Sequence, residues 1–210
     1  MTSVARRRLV YAAVWAACAI PLVKMGLDAA RGGLGANPIE QVLNRFGFWT
    51  LTFLMLSLAP TAIRIATGWG GAIRYRRTIG LFAFAYACLH FATYVVLDQA
   101  LDFPSILEDI VKRPFISVGF LALVLPVPLA LTSNNRAVRR LGFVKWQRWH
   151  RLVYVSAILG IVHFVWRVKA DLQVPLIFAG VLTVLLGIRA IDALRRRLGN
   201  GPREVQHSRA

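Results

Sequence analysis

Apolar residues along this chain are grouped into long blocks separated by short polar segments. Six blocks approach the roughly 20 mostly apolar residues that a helix needs to cross a bilayer. They lie at residues 9–27, 46–66, 79–97, 115–131, 152–166 and 174–191. The fifth block is short, but a helix there can begin earlier, near Trp146. The pattern predicts an all-α membrane protein, a bundle of about six transmembrane helices.

Composition and charge add an orientation to this bundle. The chain is 57% hydrophobic, above the roughly half that is usual for soluble domains, and its net charge is +17. A basic balance can indicate nucleic-acid binding. Here, however, 19 of the 26 Lys and Arg residues fall on one side of the six predicted spans and seven on the other. The positive-inside rule then places both termini in the cytoplasm of an inner-membrane protein, with lipid rather than nucleic acid as partner.

The remaining segments are too short for a second domain. We expect a cytoplasmic N-terminus at residues 1–8, one transmembrane domain at 9–194, and a basic, disordered cytoplasmic tail at 195–210. The outer segment 99–113 is long enough for a helix lying on the membrane surface, beginning or broken near Pro104. No dinucleotide-binding fingerprint is present, which excludes a built-in nicotinamide or FAD domain.

Histidines provide the candidate chemistry. His90 and His163 lie inside the third and fifth blocks, whereas His150 lies at the cytoplasmic edge of the fifth. His90 is 13 residues past Arg77, and His163 is 13 residues past His150, which puts both ~20 Å from the inner surface. Two imidazoles at equal depth on parallel helices can ligate one haem iron from opposite faces. We therefore predict that His90 and His163 are the axial pair of a b-type haem near the outer face.

Two other interpretations of this pair stay open. A single membrane histidine commonly hydrogen-bonds to a neighbouring helix or takes part in a proton relay. Zinc is a weaker alternative, because no carboxylate or thiolate lies nearby to complete a tetrahedral site.

His150 indicates a second, inner site of less certain nature. Its equivalent position on the third span is occupied by Arg76 or Arg77, which cannot replace an imidazole but can pair with a haem propionate, a flavin phosphate or a quinone carbonyl. His150 could thus hold a second haem or another redox molecule where electrons enter. The alternative is an interfacial histidine within the usual belt of aromatic and basic anchors, together with Trp146 and Trp149.

Several segments resemble the MsrQ family, also called YedZ, and more distantly the ferric-reductase-like transmembrane domains. The similar segments are 32–38 (GGLGANP), 76–81 (RRTIGL), Leu89-His90, 112–115 (KRPF), 131–133 (LTS), Leu141-Gly142, Trp146, His150, Tyr154, 157–159 (AIL), His163 and Trp166. Their order and spacing cover nearly the whole chain.

The resemblance implies a function that composition and spacing do not. It implies a b-type cytochrome subunit that takes electrons from the quinol pool and passes them to a periplasmic, molybdopterin-dependent MsrP-like subunit. That partner, rather than this chain, would reduce methionine sulfoxide in oxidised envelope proteins. The family is also associated with FMN, and His90, His150 and His163 match its haem-ligating positions.

Two alternative functions remain at this point. The first is a ferric or flavin-fed transmembrane reductase that receives electrons from a cytoplasmic flavoprotein. The second is a non-redox transporter or scaffold in which the histidines relay protons.

Overall fold

The computed structural model describes residues 3–168 and 170–199, which are helical and contain no strand. The α-helices are α1 Ser3–Ala30, α2 Pro38–Thr67, α3 Arg76–Thr93, α4 Phe103–Lys112, α5 Pro114–Val124, α6 Pro126–Leu131, α7 Asn135–Leu141, α8 Phe143–Trp149, α9 Leu152–Arg167 and α10 Gln173–Gly199. A 3₁₀ turn, Ile73–Tyr75, precedes α3, and a π-helical turn, Tyr94–Asp98, follows it.

Six segments in this part of the chain are long and apolar enough to cross a membrane, as the sequence predicts. They are Val4–Ala30, Pro38–Thr67, Ile73–Asp98, Pro114–Leu131, Phe143–Arg167 and Gln173–Leu198. The fifth does begin before residue 152, because α8 leads into α9. The fold is therefore that of an all-α integral membrane protein.

Helix α2 lies at the centre of the bundle. It begins at the N-cap Asn37, whose side chain accepts a hydrogen bond from the Glu40 amide, and ends at Gly68 in the left-handed conformation. One face of α2 packs with α9 and α10, where Leu58 and Ala157 are fully buried. Its other face packs with α1 and α3 around Phe53 and Tyr86. Both sides of the bundle are thus held by a single central helix.

The outward faces of the long helices are apolar. Trp15, Leu176 and Val184 are each more than half exposed, and many other large hydrophobic side chains are similarly placed. Such a surface would be unfavourable in water but matches the hydrocarbon of a bilayer.

The segment between the third and fourth spans contains the predicted surface helix, α4. Asp102 caps it by accepting a hydrogen bond from the Ser105 amide (3.3 Å), and Pro104 occupies its first turn. At the other end of the chain, α10 continues to Gly199, so residues 195–199 of the predicted tail are helical. The rest of that tail, including His207, lies outside the described residues.

Candidate cofactor site

His90 and His163 face each other between α3 and α9. Their ring centroids are 6.1 Å apart and their planes are inclined by 79°. The matched depth inferred from residue counting therefore corresponds to a real juxtaposition in space.

Backbone carbonyls fix the orientation of both rings. His90 Nδ1 lies 2.9 Å from the carbonyl oxygen of Leu43, and His163 Nδ1 lies 2.6 Å from that of Phe115. A carbonyl can only accept, so each Nδ1 donates, and the other ring nitrogen, Nε2, keeps its lone pair. Neither Nε2 makes a hydrogen bond with a described residue. This is the tautomer in which metal-ligating histidines are usually held.

Two glycines allow the rings to lie against neighbouring helices. A Cβ on Gly119 of α5 would lie 2.5 Å from His163 Nδ1, closer than real Cβ atoms come to other heavy atoms. A Cβ on Gly47 of α2 would lie 3.4 Å from His90 Cε1, so this contact is less tight. Glycine at 119 is thus a condition for the observed position of His163. Sequence reasoning missed both glycines, because nothing local marks a glycine that contacts a distant ring.

The two rings line a cavity of about 440 Å³ between α2, α3, α5 and α9. Its walls are mostly apolar and include Leu51, Leu54, Phe84 and Phe120. Polar side chains are also part of the lining: Asn37, Glu40, Asn44, Asp98, Arg113 and Arg167. Arg167 Nη2 lies 3.3 Å from Glu40 Oε1, which joins the end of α9 to the start of α2. An apolar cavity of this size with a few polar groups is typical of cofactor sites.

The geometry suits a planar metal cofactor held by two imidazoles. An imidazole nitrogen lies about 2 Å from a bound metal ion, so two nitrogens on opposite sides put the ring centroids about 6 Å apart. The observed separation of 6.1 Å fits this value. Within residues 3–168 and 170–199, no group of three or more His, Cys, Asp or Glu side chains is placed to hold a bare ion.

His150 lies apart from this pair, at the junction of α8 and α9. Its ring stacks on Trp146 with a centroid distance of 3.8 Å, and its Nδ1 lies 3.0 Å from the Trp146 carbonyl oxygen. Its Nε2 is buried and makes no well-formed hydrogen bond, although the ring lies near the Leu129 backbone. Arg76 lies close enough to interact electrostatically with His150, and its Nη1 is 3.4 Å from Thr61 Oγ1.

Arg77 points elsewhere. Its Nη1 lies 3.4 Å from Asn135 Oδ1, and it lines a groove of about 420 Å³ with Tyr11 and Trp15, between α1 and α3. Of the two arginines predicted for the inner site, Arg76 is the one that lies near His150 in this structure.

A residue that sequence reasoning did not select, Arg189 of α10, lies near the same inner region. Its Nη2 is 2.5 Å from the Leu58 carbonyl oxygen, and its guanidinium lies over the Tyr154 ring at 5.2 Å. Its Nε and Nη1 are buried without a hydrogen-bond partner. In the sequence, Arg189 stands out as a charged residue inside an apolar block. Because it lies near the end of that block, it was counted among the charges that orient the protein in the membrane.

Comparison with known proteins agrees with this geometry. Residues 46–161 match the family model described as ferric reductase like transmembrane component. The chain is 52% identical to a relative from Rhodospirillum rubrum, over 91% of this chain and 92% of that protein. This chain belongs to the MsrQ family. The resemblance inferred from the sequence is thereby confirmed.

Other MsrQ relatives are nearly as similar along their whole length. Identity is 46% to the protein from Herminiimonas arsenicoxydans, over 91% of this chain and 89% of the relative. It is 41% to the protein from Caulobacter vibrioides, over 92% of each. All three relatives are named protein-methionine-sulfoxide reductase heme-binding subunit MsrQ. No solved structure matches the chain.

Proposed function

We propose that this chain binds a b-type haem between His90 and His163 and is the electron-transfer subunit of a methionine-sulfoxide reductase system. The observation that carries the proposal is the 6.1 Å pair of imidazoles, each oriented by a backbone carbonyl, in an apolar cavity. The names of its MsrQ relatives, which describe heme-binding subunits of this reductase, support it.

The residues around the cavity have separate roles in the proposed haem binding and electron transfer. The hydrogen bonds from His90 and His163 to Leu43 and Phe115 hold the rings and raise their basicity as ligands. The apolar walls exclude water, which limits solvent reorganisation on electron transfer. Arg113 and Arg167, which line the cavity in ion pairs with Asp109 and Glu40, are placed to pair in addition with acidic substituents of a macrocycle. A bound haem would supply a reversible one-electron iron couple.

The proposed electron route runs outward across the bacterial inner membrane, with both termini of the chain in the cytoplasm. Quinol is the donor, and the inner region around His150 and Arg76 is where electrons enter. A second haem or FMN is proposed for that region, next to the buried His150 Nε2. The acceptor is a periplasmic, molybdopterin-dependent MsrP-like subunit, which carries out the reduction of methionine sulfoxide. No substrate chemistry is assigned to this chain.

A cytoplasmic flavoprotein is the alternative donor. Helices α7 and α8 and their surroundings carry a dense group of basic residues: Arg136, Arg139, Arg140, Lys145, Arg148 and Arg151. An acidic flavoprotein would be attracted to such a surface.

Two measurements on the purified protein test these proposals. Pyridine-haemochrome quantification should give at least one b-type haem per chain, and a preparation without haem would refute the cofactor assignment. Anaerobic titration with a soluble quinol analogue should then reduce that haem faster than reduced flavin plus a flavin reductase does. The opposite order would favour the flavoprotein as donor.

A further inference from the structure

Arg189 is a partly buried cation with an incomplete set of partners. A guanidinium has five N–H donors and no acceptor. In α10 one nitrogen, Nη2, donates to the Leu58 carbonyl oxygen, while Nε and Nη1 are both buried with no partner. Leaving charged donors buried and unpaired is costly, because they give up water and receive nothing in return.

The contacts that do exist hold the guanidinium in place. Nη2 donates to the carbonyl oxygen of Leu58 in the middle of α2. The Tyr154 ring of α9 lies under the guanidinium at 5.2 Å. Arg189 is therefore positioned by α2 and α9 together, with its free N–H groups directed neither to solvent nor to any described side chain.

The surroundings of Arg189 are cationic. Arg76 is close enough to interact electrostatically with both Arg189 and His150. None of the ion pairs in the described part of the chain involves any of these three residues. The buried His150 Nε2 makes no hydrogen bond to a side chain. A region with two guanidinium groups, neither of them in an ion pair, is complementary to an anion with several oxygen acceptors.

We propose that Arg189 binds an oxyanion, a carboxylate or a phosphate, of the redox molecule held beside His150. This inference rests on the proposed inner redox site and adds a residue to it. Arg189 is then a positioning residue: its planar fork can take two oxygens of the group and set the molecule's orientation relative to His150. The carboxylate of a porphyrin and the phosphate of a flavin have this chemistry in common.

Matched ligand pairs that differ only in the oxyanion can test the proposal. Protein in detergent, with its outer haem verified spectroscopically, is washed to remove loosely held molecules. It is then titrated by equilibrium dialysis with haemin against haemin dimethyl ester, and with FMN against riboflavin. Wild-type protein should prefer the acidic member of one pair by about tenfold or more, the effect of a charge-assisted hydrogen bond. The pair that shows the preference identifies the source of the oxyanion.

Variants assign the preference to Arg189. Arg189→Met keeps the apolar stem and should abolish the preference, while Arg189→Lys, which keeps the charge without the fork, should reduce it. Arg195→Gln removes a charge from an exposed position of the same helix and should leave the preference unchanged. If Arg189→Met does not yield monodisperse protein, the comparison is made with Arg189→Lys.

Two results would overturn the inference. One is an absence of preference in both ligand pairs with wild-type protein. The other is an equal preference in the Arg189 variants, particularly with a higher melting temperature in Arg189→Met, since removing a merely structural buried charge can stabilise. Failure of the proposed haem function would look different, because the outer haem spectrum would be missing from wild-type protein before any titration.

Discussion

At the residue scale, the site depends on contacts that local sequence does not encode. The sequence predicted the pair His90 and His163 because their spacing along two helices could be counted. It could not predict that the Leu43 and Phe115 carbonyls would hold the rings, since those contacts depend on how α2 and α5 pack against α3 and α9. The same reasoning applies to Gly119, whose role is visible only once His163 lies beside it.

The histidine pair gives the most direct prediction. Replacing His90 or His163 by Ala should abolish the low-spin haem spectrum, because one of two axial ligands is removed. His207→Ala is the matched control and should keep wild-type haem content, measured by absorption spectroscopy and pyridine haemochrome. Wild-type spectra in both His90→Ala and His163→Ala would exclude them as the axial pair.

Gly119→Ala should also impair haem binding, although it changes no ligand. The added methyl would lie 2.5 Å from His163 Nδ1, so the imidazole would have to move away from its carbonyl partner and out of position. Gly180→Ala is the control, because a Cβ there meets nothing within 4 Å and alanine favours the helix by about 1 kcal/mol. We expect Gly180→Ala to bind haem normally with an equal or higher melting temperature. Unchanged haem content in Gly119→Ala would mean that the observed ring position is not the ligating one.

At the element scale, the hydrophobic pattern predicted which segments are helical but not how they are interrupted. The fourth span consists of α5 and α6, which adjoin at Leu125 and Pro126, and the fifth consists of α8 and α9, with His150 at their junction. The second interruption falls in a polar stretch just before the apolar block 152–166, where no Pro or Gly marks a break in the helix. Its consequence is that His150 follows a separate short helix, so its position relative to His163 cannot be obtained from an ideal helical wheel.

The surface helix α4 is connected to the cofactor cavity through one buried carboxylate. Asp109 Oδ2 accepts hydrogen bonds from Tyr94 Oη and Gln99 Nε2, both at 2.9 Å, and Oδ1 pairs with Arg113 Nε at 2.9 Å. Tyr94 and Arg113 line the cavity. The carboxylate therefore ties α4 to the π-helical turn that ends the third span.

Asp109→Ala should accordingly destabilise the protein by about 1–3 kcal/mol, because it leaves the partly buried donors of Tyr94 and Gln99 without an acceptor. The expected result is a lower melting temperature and faster loss of haem in detergent. The neighbouring Glu108, which is exposed and paired only with Lys112, provides the control, and Glu108→Ala should change the stability by less than about 1 kcal/mol. Equal effects of the two substitutions would contradict a specific role of Asp109.

At the scale of the whole molecule, the apolar blocks give the number of spans, whereas the distribution of charge gives the orientation in the membrane. Six membrane-spanning segments are apparent both in the sequence and in the structure, because length and apolar content suffice to define them. Arg189 illustrates where this scale of reasoning fails. It was counted among the basic residues that orient the protein, and only the packing of α10 against α2 and α9 reveals that its guanidinium is partly buried inside the bundle.

The orientation of the bundle is the last prediction. An even number of spans puts both termini on the same side of the membrane whichever side that is. The distribution of basic residues then selects the cytoplasm, because 19 of 26 lie with the termini and the translocation machinery retains such loops.

A reporter fused after residue 199 should therefore be active only if it works in the cytoplasm. The same reporter inserted between residues 99 and 102, before α4, should be inactive there, and a periplasmic reporter should give the opposite pattern. If both positions reported the same side, an even number of spans, and not the predicted three, would separate the inserted loop from the C-terminus. The fifth span, which combines α8 with α9, would then be the first to reconsider, because its mean hydropathy of 1.3 is the lowest of the six.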